Sequence, residues 1–293
     1  MKAFGRILTA MVTPFNDDLS VNYQAAARLA KHLVANGNDG LVVAGSTGEA
    51  ATLTTEEKLK LFSAVLDAVG DKATVIVGTG SNDTRASIAL TQEAEKLGVH
   101  GSLVVGPYYN KPPQEGYYQH FKAIADNTGL PLIVYNVPGR TASNILPATI
   151  ARLAQIKNIV AVKESSGNLD QVSEIVRSVP KDFLVYSGDD SLTLPILAVG
   201  GVGVVSVAGH IVAKRMQDMI SAFFAGNVAA ARDIHLELMP FFKVIFVTTN
   251  PIPVKMAVNL AGLGAGPVRP PLIAATASET EQIKKVMQDI GAL

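Results

Sequence analysis

Lys163 closes the run Ile159-Val160-Ala161-Val162 and is followed by Glu164-Ser165-Ser166-Gly167. Four apolar, mostly β-branched residues read as a buried strand. A lysine at its end has its stem among apolar neighbours and its amine at the strand's carboxyl end. An ammonium group that loses water is disfavoured, so the neutral amine becomes available. A neutral amine attacks ketones and gives a Schiff base. The ordinary alternative is a strand-end lysine that snorkels to water, so the neighbours must decide.

Other apolar runs end in reactive residue types. Thr13-Pro14-Phe15 follows the first, and Gly45-Ser46-Thr47-Gly48-Glu49 the second. Gly78-Thr79-Gly80 ends the third, and Pro107-Tyr108-Tyr109-Asn110 follows the fourth. Tyr135-Asn136-Val137-Pro138-Gly139-Arg140-Thr141 ends the fifth, Ser187-Gly188-Asp189-Asp190 the seventh, and Ser206-Val207-Ala208-Gly209-His210 the eighth. Carbinolamine formation and dehydration on Lys163 require proton transfer, which Tyr135 can supply, with Ser46 or Thr47 and Tyr109 relaying to solvent. Turn amides around Ser46, Thr47 and Gly48 suit a ketoacid carboxylate. Arg140 is a bidentate fork for a second carboxylate. Tyrosines also pack at strand ends, glycine-threonine turns are often only turns, and Asp189 and Asp190 read equally well as helix caps.

Competing chemistries lack their residues. The histidines at 32, 100, 120, 210 and 235 have no metal-ligand spacing, which argues against a metal-dependent aldolase. Gly200-Gly201-Val202-Gly203 lacks the lysine of a phosphate loop, and no Gly-x-Ser-x-Gly elbow exists. The chain carries no cysteine, so disulfides, thiolate metal sites and a cysteine nucleophile are excluded.

The elements that must position these residues alternate. Strands are expected at 7–12, 40–44, 74–78, 101–105, 132–135, 159–163, 183–186 and 203–207. Helices are expected at 21–36, 55–69, 84–97, 114–127, 147–154, 169–178 and 191–199. Apolar residues recur at helical spacing in each, and Thr54-Thr55-Glu56-Glu57 and Asn82-Asp83-Thr84 read as caps. Strands apolar on both faces, separated by helices, imply a parallel sheet under helical cover. Eight such units make an α/β fold of the (β/α)8 TIM-barrel type, with an open doubly wound sheet as the alternative. Further on, 212–224, 228–247, 254–260 and 279–290 read as helices without strands. The expected division is therefore a barrel domain over 1–224 and a C-terminal helical domain over 225–293.

With 48% hydrophobic residues and 25 basic against 25 acidic side chains, the chain can bury a substantial core and shows no charge run for nucleic acid or anionic membrane. The uncharged stretch 191–213 contains Pro195 and four glycines, and reads as helix, turn and strand rather than a span. A soluble cytoplasmic protein is expected.

Gly45-Ser46-Thr47-Gly48-Glu49, the Tyr135-to-Thr141 segment and Val162-Lys163-Glu164-Ser165-Ser166-Gly167-Asn168-Leu169 closely resemble the dihydrodipicolinate synthase family, among the pyruvate-dependent Schiff-base lyases and synthases. The resemblance runs from Thr13-Pro14-Phe15 to Asn250-Pro251-Ile252-Pro253-Val254-Lys255. It implies a TIM barrel condensing pyruvate with aspartate 4-semialdehyde on the route to diaminopimelate and lysine. No cofactor is implied beyond the covalent imine on Lys163. Tyr135, Thr47 and Tyr109 would form the relay, with Tyr109 reaching a neighbouring subunit in a homotetramer built as a dimer of dimers. Ser46, Thr47, Gly48, Arg140, Gly188 and Val205 would bind substrate. Ser46 departs from the threonine more usual in the synthases and matches N-acetylneuraminate lyases, but keeps the hydroxyl. Arg140-Thr141 is absent from those sugar-acid lyases, so the synthase reading is preferred to them and to 2-keto-3-deoxy-gluconate aldolase. A silent ketoacid-binding barrel is the non-enzymatic alternative, and the intact lysine, tyrosine and arginine argue against it.

Lysine-sensitive relatives bind lysine through a serine-alanine pair, two histidines, an asparagine, a glutamate and a tyrosine. Ala51, Asn82 and Tyr108 match that pattern, whereas Ala50, Thr55, Lys58 and Ala86 do not. Weak or absent inhibition by lysine is expected.

Overall fold

The computed structural model describes residues 4–293; residues 1–3, the start of the expected barrel domain, lie outside the described residues. Eight parallel strands, β1 (Ile7–Ala10), β2 (Gly40–Val43), β3 (Thr74–Gly78), β4 (Gly101–Val105), β5 (Leu132–Asn136), β6 (Ile159–Glu164), β7 (Leu184–Ser187) and β8 (Gly203–Ser206), follow one another around a closed barrel. This is the expected (β/α)8 fold, and the open-sheet alternative is excluded. Strand ends differ from expectation by one or two residues.

The chain falls into two compact units. One comprises Ile76–Val205 with Phe4. Its helices are α3 (Thr84–Lys96), α4 (Gln114–Asp126), α5 (Pro138–Thr141), α6 (Pro147–Leu153), α7 (Leu169–Ser178) and α8 (Thr193–Ala198). Asp83 caps α3 by accepting from Arg85 N at 2.8 Å, and Asn168 caps α7 by accepting from Gln171 N at 3.0 Å. Every residue of β5 and β6 is buried, as expected of strands covered on both faces. Their pairing contains a bulge: Leu132 pairs with Ile159 but Ile133 with Ala161, so Val160 is the extra residue.

The other unit comprises Gly5–Val75 and Ser206–Leu293. It holds α1 (Tyr23–Ala35), α2 (Thr55–Val69), α9 (Gly209–Phe224), α10 (Val228–Val244), α11 (Ile252–Leu260) and α12 (Ala277–Asp289). The expected cap at the start of α2 takes the form of a capping box: Thr54 Oγ1 accepts from Glu57 N at 3.1 Å, and Glu57 Oε2 accepts from Thr54 N at 2.9 Å.

Four local features differ from the sequence reading. Helix α9 starts at Gly209 rather than 212, because Val212 at φ −118° is a kink inside it. The helix expected over 191–199 is a 3-10 turn followed by α8, with Asp189 accepting from Ser191 N at 2.8 Å. Ala50–Thr52 forms a 3-10 turn, and α5 is a four-residue helix that periodicity is too short to reveal. No helix among the described residues is long and apolar enough to cross a membrane.

Candidate active site

In the first unit, the register of β5 against β6 sets Tyr135 beside Lys163. The Lys163 amine lies 4.1 Å from the centroid of the Tyr135 ring, and Lys163 is only 5% exposed. Without the extra residue at Val160, Val162 would take that place beside Tyr135. The bulge therefore sets the lysine against the tyrosine. On the other side, β7 pairs Tyr186 with Lys163, and the chain then turns through Gly188. A Cβ there would overlap the Ser165 hydroxyl and stand 2.9 Å from Lys163 Cε. Only glycine lets the backbone pass so close to the lysine stem. Val205, another residue of the expected set in this unit, is buried on β8.

Arg140 is exposed on α5. The segment carrying it is held from behind: Thr141 Oγ1 donates to Ser143 O at 2.7 Å, Ala142 adopts φ 56°, and Ser143 pairs with the Tyr117 hydroxyl. Tyr109 has φ 70° and is 88% exposed. Its loop is tied down next door, where Asn110 Nδ2 donates to Asn82 O at 2.8 Å. A tyrosine held in left-handed backbone with its side chain in solvent is strained for no internal packing gain.

In the second unit, the segment after β2 turns sharply, with Ala44 at φ 49° and Glu49 at φ 55°. Ser46 is exposed, whereas Thr47 and Gly48 are buried. Thr13 Oγ1 donates to Gly48 O at 2.6 Å, and a Cβ on Gly48 would come within 3.0 Å of both Ala44 Cα and Met11 O. Asn250 Nδ2 donates to Thr47 Oγ1 at 3.0 Å. Thr47 accepts there, which leaves its own proton to donate elsewhere. Sequence reasoning did not single out Asn250; its only signal was a place in the resembling Asn250-Pro251-Ile252-Pro253 segment.

The same reasoning missed an ionic cluster below this turn. Glu49 Oε1 pairs with Lys255 Nζ at 2.7 Å, and Glu49 Oε2 accepts from Arg269 N at 2.8 Å. Lys255 is 1% exposed; burial pushes its ammonium down to about 8, with Glu49 opposing the shift. Burial therefore does not single out Lys163 among the lysines. Partnership does, since the Lys255 amine is committed to a carboxylate. No group of three or more metal-ligating side chains is gathered among the described residues.

A strand-end lysine lying on a tyrosine ring, in a (β/α)8 barrel, marks an enzyme of the lyase-type synthase class. The model of the dihydrodipicolinate synthetase family matches residues 3–290, and the chain belongs to that family. It is 60% identical over 288 residues to the 4-hydroxy-tetrahydrodipicolinate synthase of Heliobacterium modesticaldum, covering 98% of this chain and 96% of the relative. The synthase of Moorella thermoacetica is 59% identical, with 99% of each covered. Among solved structures, dihydrodipicolinate synthase from Cyanidioschyzon merolae with lysine bound superposes with a TM-score of 0.98 at 49% identity, covering 99% of both chains. The Aquifex aeolicus synthase gives 0.96 at 41% identity, again covering 99% of both.

Proposed function

We propose that the chain condenses pyruvate with L-aspartate 4-semialdehyde to give 4-hydroxy-tetrahydrodipicolinate, in the diaminopimelate route to lysine. The pairing of Lys163 with Tyr135 is the observation that carries this reading, and the shared name of its relatives supports it. The Lys163 amine attacks the ketone carbon of pyruvate. The carbinolamine then loses water to leave an imine, whose methyl group gives up a proton to form an enamine. The enamine carbon bonds to the aldehyde carbon of the second substrate, whose oxygen takes up a proton and becomes the 4-hydroxyl. The amino group of that substrate then attacks the imine carbon, closing the ring and breaking the bond to Lys163, which leaves as the free amine. Tyr135 moves the protons, with Thr47 as the next hydroxyl and Tyr109 as the outlet. Thr47 can donate because Asn250 already occupies its acceptor side. Ser46, Gly48, Gly188 and Val205 shape the ketoacid subsite, and Arg140 takes the semialdehyde carboxylate.

Tyr109 serves a partner subunit's site in a dimer of dimers; its exposure and left-handed backbone support a side chain that packs outside its own chain. The reaction needs no resident cofactor and is assigned to the cytoplasm. Borohydride reduction with pyruvate, followed by mass spectrometry, should place the adduct on Lys163. A coupled assay should show turnover of aspartate semialdehyde and none of sugar aldehydes. An adduct on another lysine would overturn the mechanism, and preferred turnover of sugar aldehydes would overturn the substrate.

A further inference from the structure

Glu164 follows Lys163 on β6, so the two side chains leave opposite faces of the sheet. Glu164 is 1% exposed, and only N–H donors converge on its carboxylate. Oε1 accepts from Ser166 N at 2.6 Å, and Oε2 accepts from Asn136 Nδ2 at 3.0 Å and Gln171 Nε2 at 3.4 Å. Asn144 closes the circle. Its Oδ1 accepts from Asn136 Nδ2 at 2.8 Å and Gln171 Nε2 at 3.1 Å, while its Nδ2 donates to Gln171 Oε1 at 2.7 Å. Asn136 Oδ1 in turn accepts from Ile145 N at 3.0 Å.

Three of the four members lie close in sequence to a residue of the proposed reaction. Asn136 follows Tyr135, Glu164 follows Lys163, and Asn144 lies in the segment that Arg140 opens. Gln171 anchors all of them to α7. We propose that Glu164 is a positioning residue: its carboxylate is the acceptor around which this ring closes, and the ring holds Tyr135, Lys163 and the Arg140 segment in the geometry that imine chemistry needs. The inference rests on the imine reading above. Glu164 itself touches no reacting atom, because it faces away from the lysine.

The donor pattern makes the role testable without changing shape. An ionised carboxylate is acceptor-only and satisfies three N–H groups. Glutamine has the same outline but sets an NH2 against at least one of those donors. Glu164→Gln should therefore fold with a working lysine yet loosen the ring. A second change can restore it. With Asn136→Asp added, the carboxylate moves to β5, and rotation of the Asn144 and Gln171 amides pairs every group again.

The experiment measures kcat and KM for both substrates, normalised to the Lys163 fraction trapped by borohydride with pyruvate. Glu164→Gln should lower normalised kcat about ten-fold while KM for pyruvate stays within about two-fold. The Glu164→Gln, Asn136→Asp double variant should recover most of that loss. If Glu164→Gln does not fold, Asn144→Ala, which opens the ring at its half-buried corner, should lower normalised kcat in the same way. Unchanged normalised kcat in the folded single variant would overturn the proposal by reducing Glu164 to a stability role. A double variant as slow as the single one would overturn it too, by showing that charge at position 164 matters rather than the ring. Failure of the unaltered enzyme to trap an adduct on Lys163 would instead overturn the imine reading, before any variant is compared.

Discussion

Two buried lysines, Lys163 and Lys255, have opposite surroundings. Lys255 faces the Glu49 carboxylate at 2.7 Å, and the rings and cations around it form a closed cluster: Phe15 lies 4.0 Å from the Lys255 amine and 4.4 Å from the Arg269 guanidinium. Lys163 rests on an aromatic ring beside a glycine that leaves it room. Reduced pyruvate adduct should accordingly appear on Lys163 and on neither Lys157 nor Lys255. Lys163→Arg should fold and lose most activity, because arginine keeps its proton and cannot attack; a melting curve beside the trapping assay separates the two effects. Arg140 makes a different prediction. The residue is exposed on α5 while its neighbours hold the backbone. Arg140→Ala should therefore cut turnover of the semialdehyde by roughly ten-fold or more, as loss of a charge-assisted pair does. Imine trapping with pyruvate alone should stay near its original level. A parallel fall in trapping would mean that Arg140 holds the site together rather than binding the second substrate.

At the scale of elements, three of the positions expected to decide lysine binding fall on helices, Thr55 and Lys58 on α2 and Ala86 on α3. The capping box starts α2 at Thr55 and sets Lys58 on its first turn. Lys58 is half-buried, and burial pulls its ammonium below the ordinary lysine range. Ala86 on α3 offers no carboxylate. A second ammonium brought near Lys58 meets a like charge rather than an anion, which costs affinity. The fold alone does not decide the matter, since a relative 49% identical has been solved with lysine bound. A titration of L-lysine with both substrates near half-saturation should give little or no inhibition, and saturable inhibition at sub-millimolar lysine would refute the reading. Most of the elements themselves were legible beforehand. The alternation of apolar runs with amphipathic segments reflects burial of strands on both faces, a signal that repeats along the whole chain. Helix α5 and the 3-10 turn at Ala50–Thr52 were not legible, because three or four residues hold no period.

Across the whole molecule, His210 and His120 link stability to pH most strongly, and the less buried His235 is shifted in the same direction. His210 is buried between strand and helix ends: Nε2 accepts from Val12 N at 3.0 Å, and Nδ1 donates to Val207 O at 2.8 Å. This arrangement requires the neutral ring, and burial pushes its pKa down to about 4, partly opposed by the Val207 carbonyl. His120 is likewise pushed down to about 4, chiefly by burial. A histidine whose folded pKa is lowered takes up its proton more readily in the unfolded chain. Stability is then full above about pH 6.5 and is lost as pH falls toward 4. His210 and His120 should each remove about 2 kcal/mol between pH 7.5 and pH 5. Urea midpoints at the two pH values should show the loss, and His210→Asn should flatten the dependence by about half. A midpoint that does not move over that range would refute the assignment.

The sequence by itself determined which residues stand at strand ends or in the segments just after them. Lys163 and Tyr135 lie at the ends and Thr47, Tyr109 and Arg140 a few residues beyond, all readable from a local pattern because strand termination is a local event. It also determined a parallel sheet under helical cover, through strands too apolar to face water, while closure of that sheet into a barrel was decided by the tertiary structure. Tertiary structure decided what meets what. Val160 bulges out of the β5–β6 ladder, and that single extra residue turns Lys163 rather than Val162 toward Tyr135. Nothing in Ile159-Val160-Ala161-Val162 announces the bulge, because either residue is equally buried in a two-faced strand and the choice belongs to the neighbouring strand. The pairing of Glu49 with Lys255, 206 residues away, and the bond from Asn250 to Thr47, 203 residues away, are of the same kind. Hydrogen bonds and ion pairs across such separations leave no periodic trace. They exist because a buried carboxylate, ammonium or hydroxyl must find a partner once folding has removed its water.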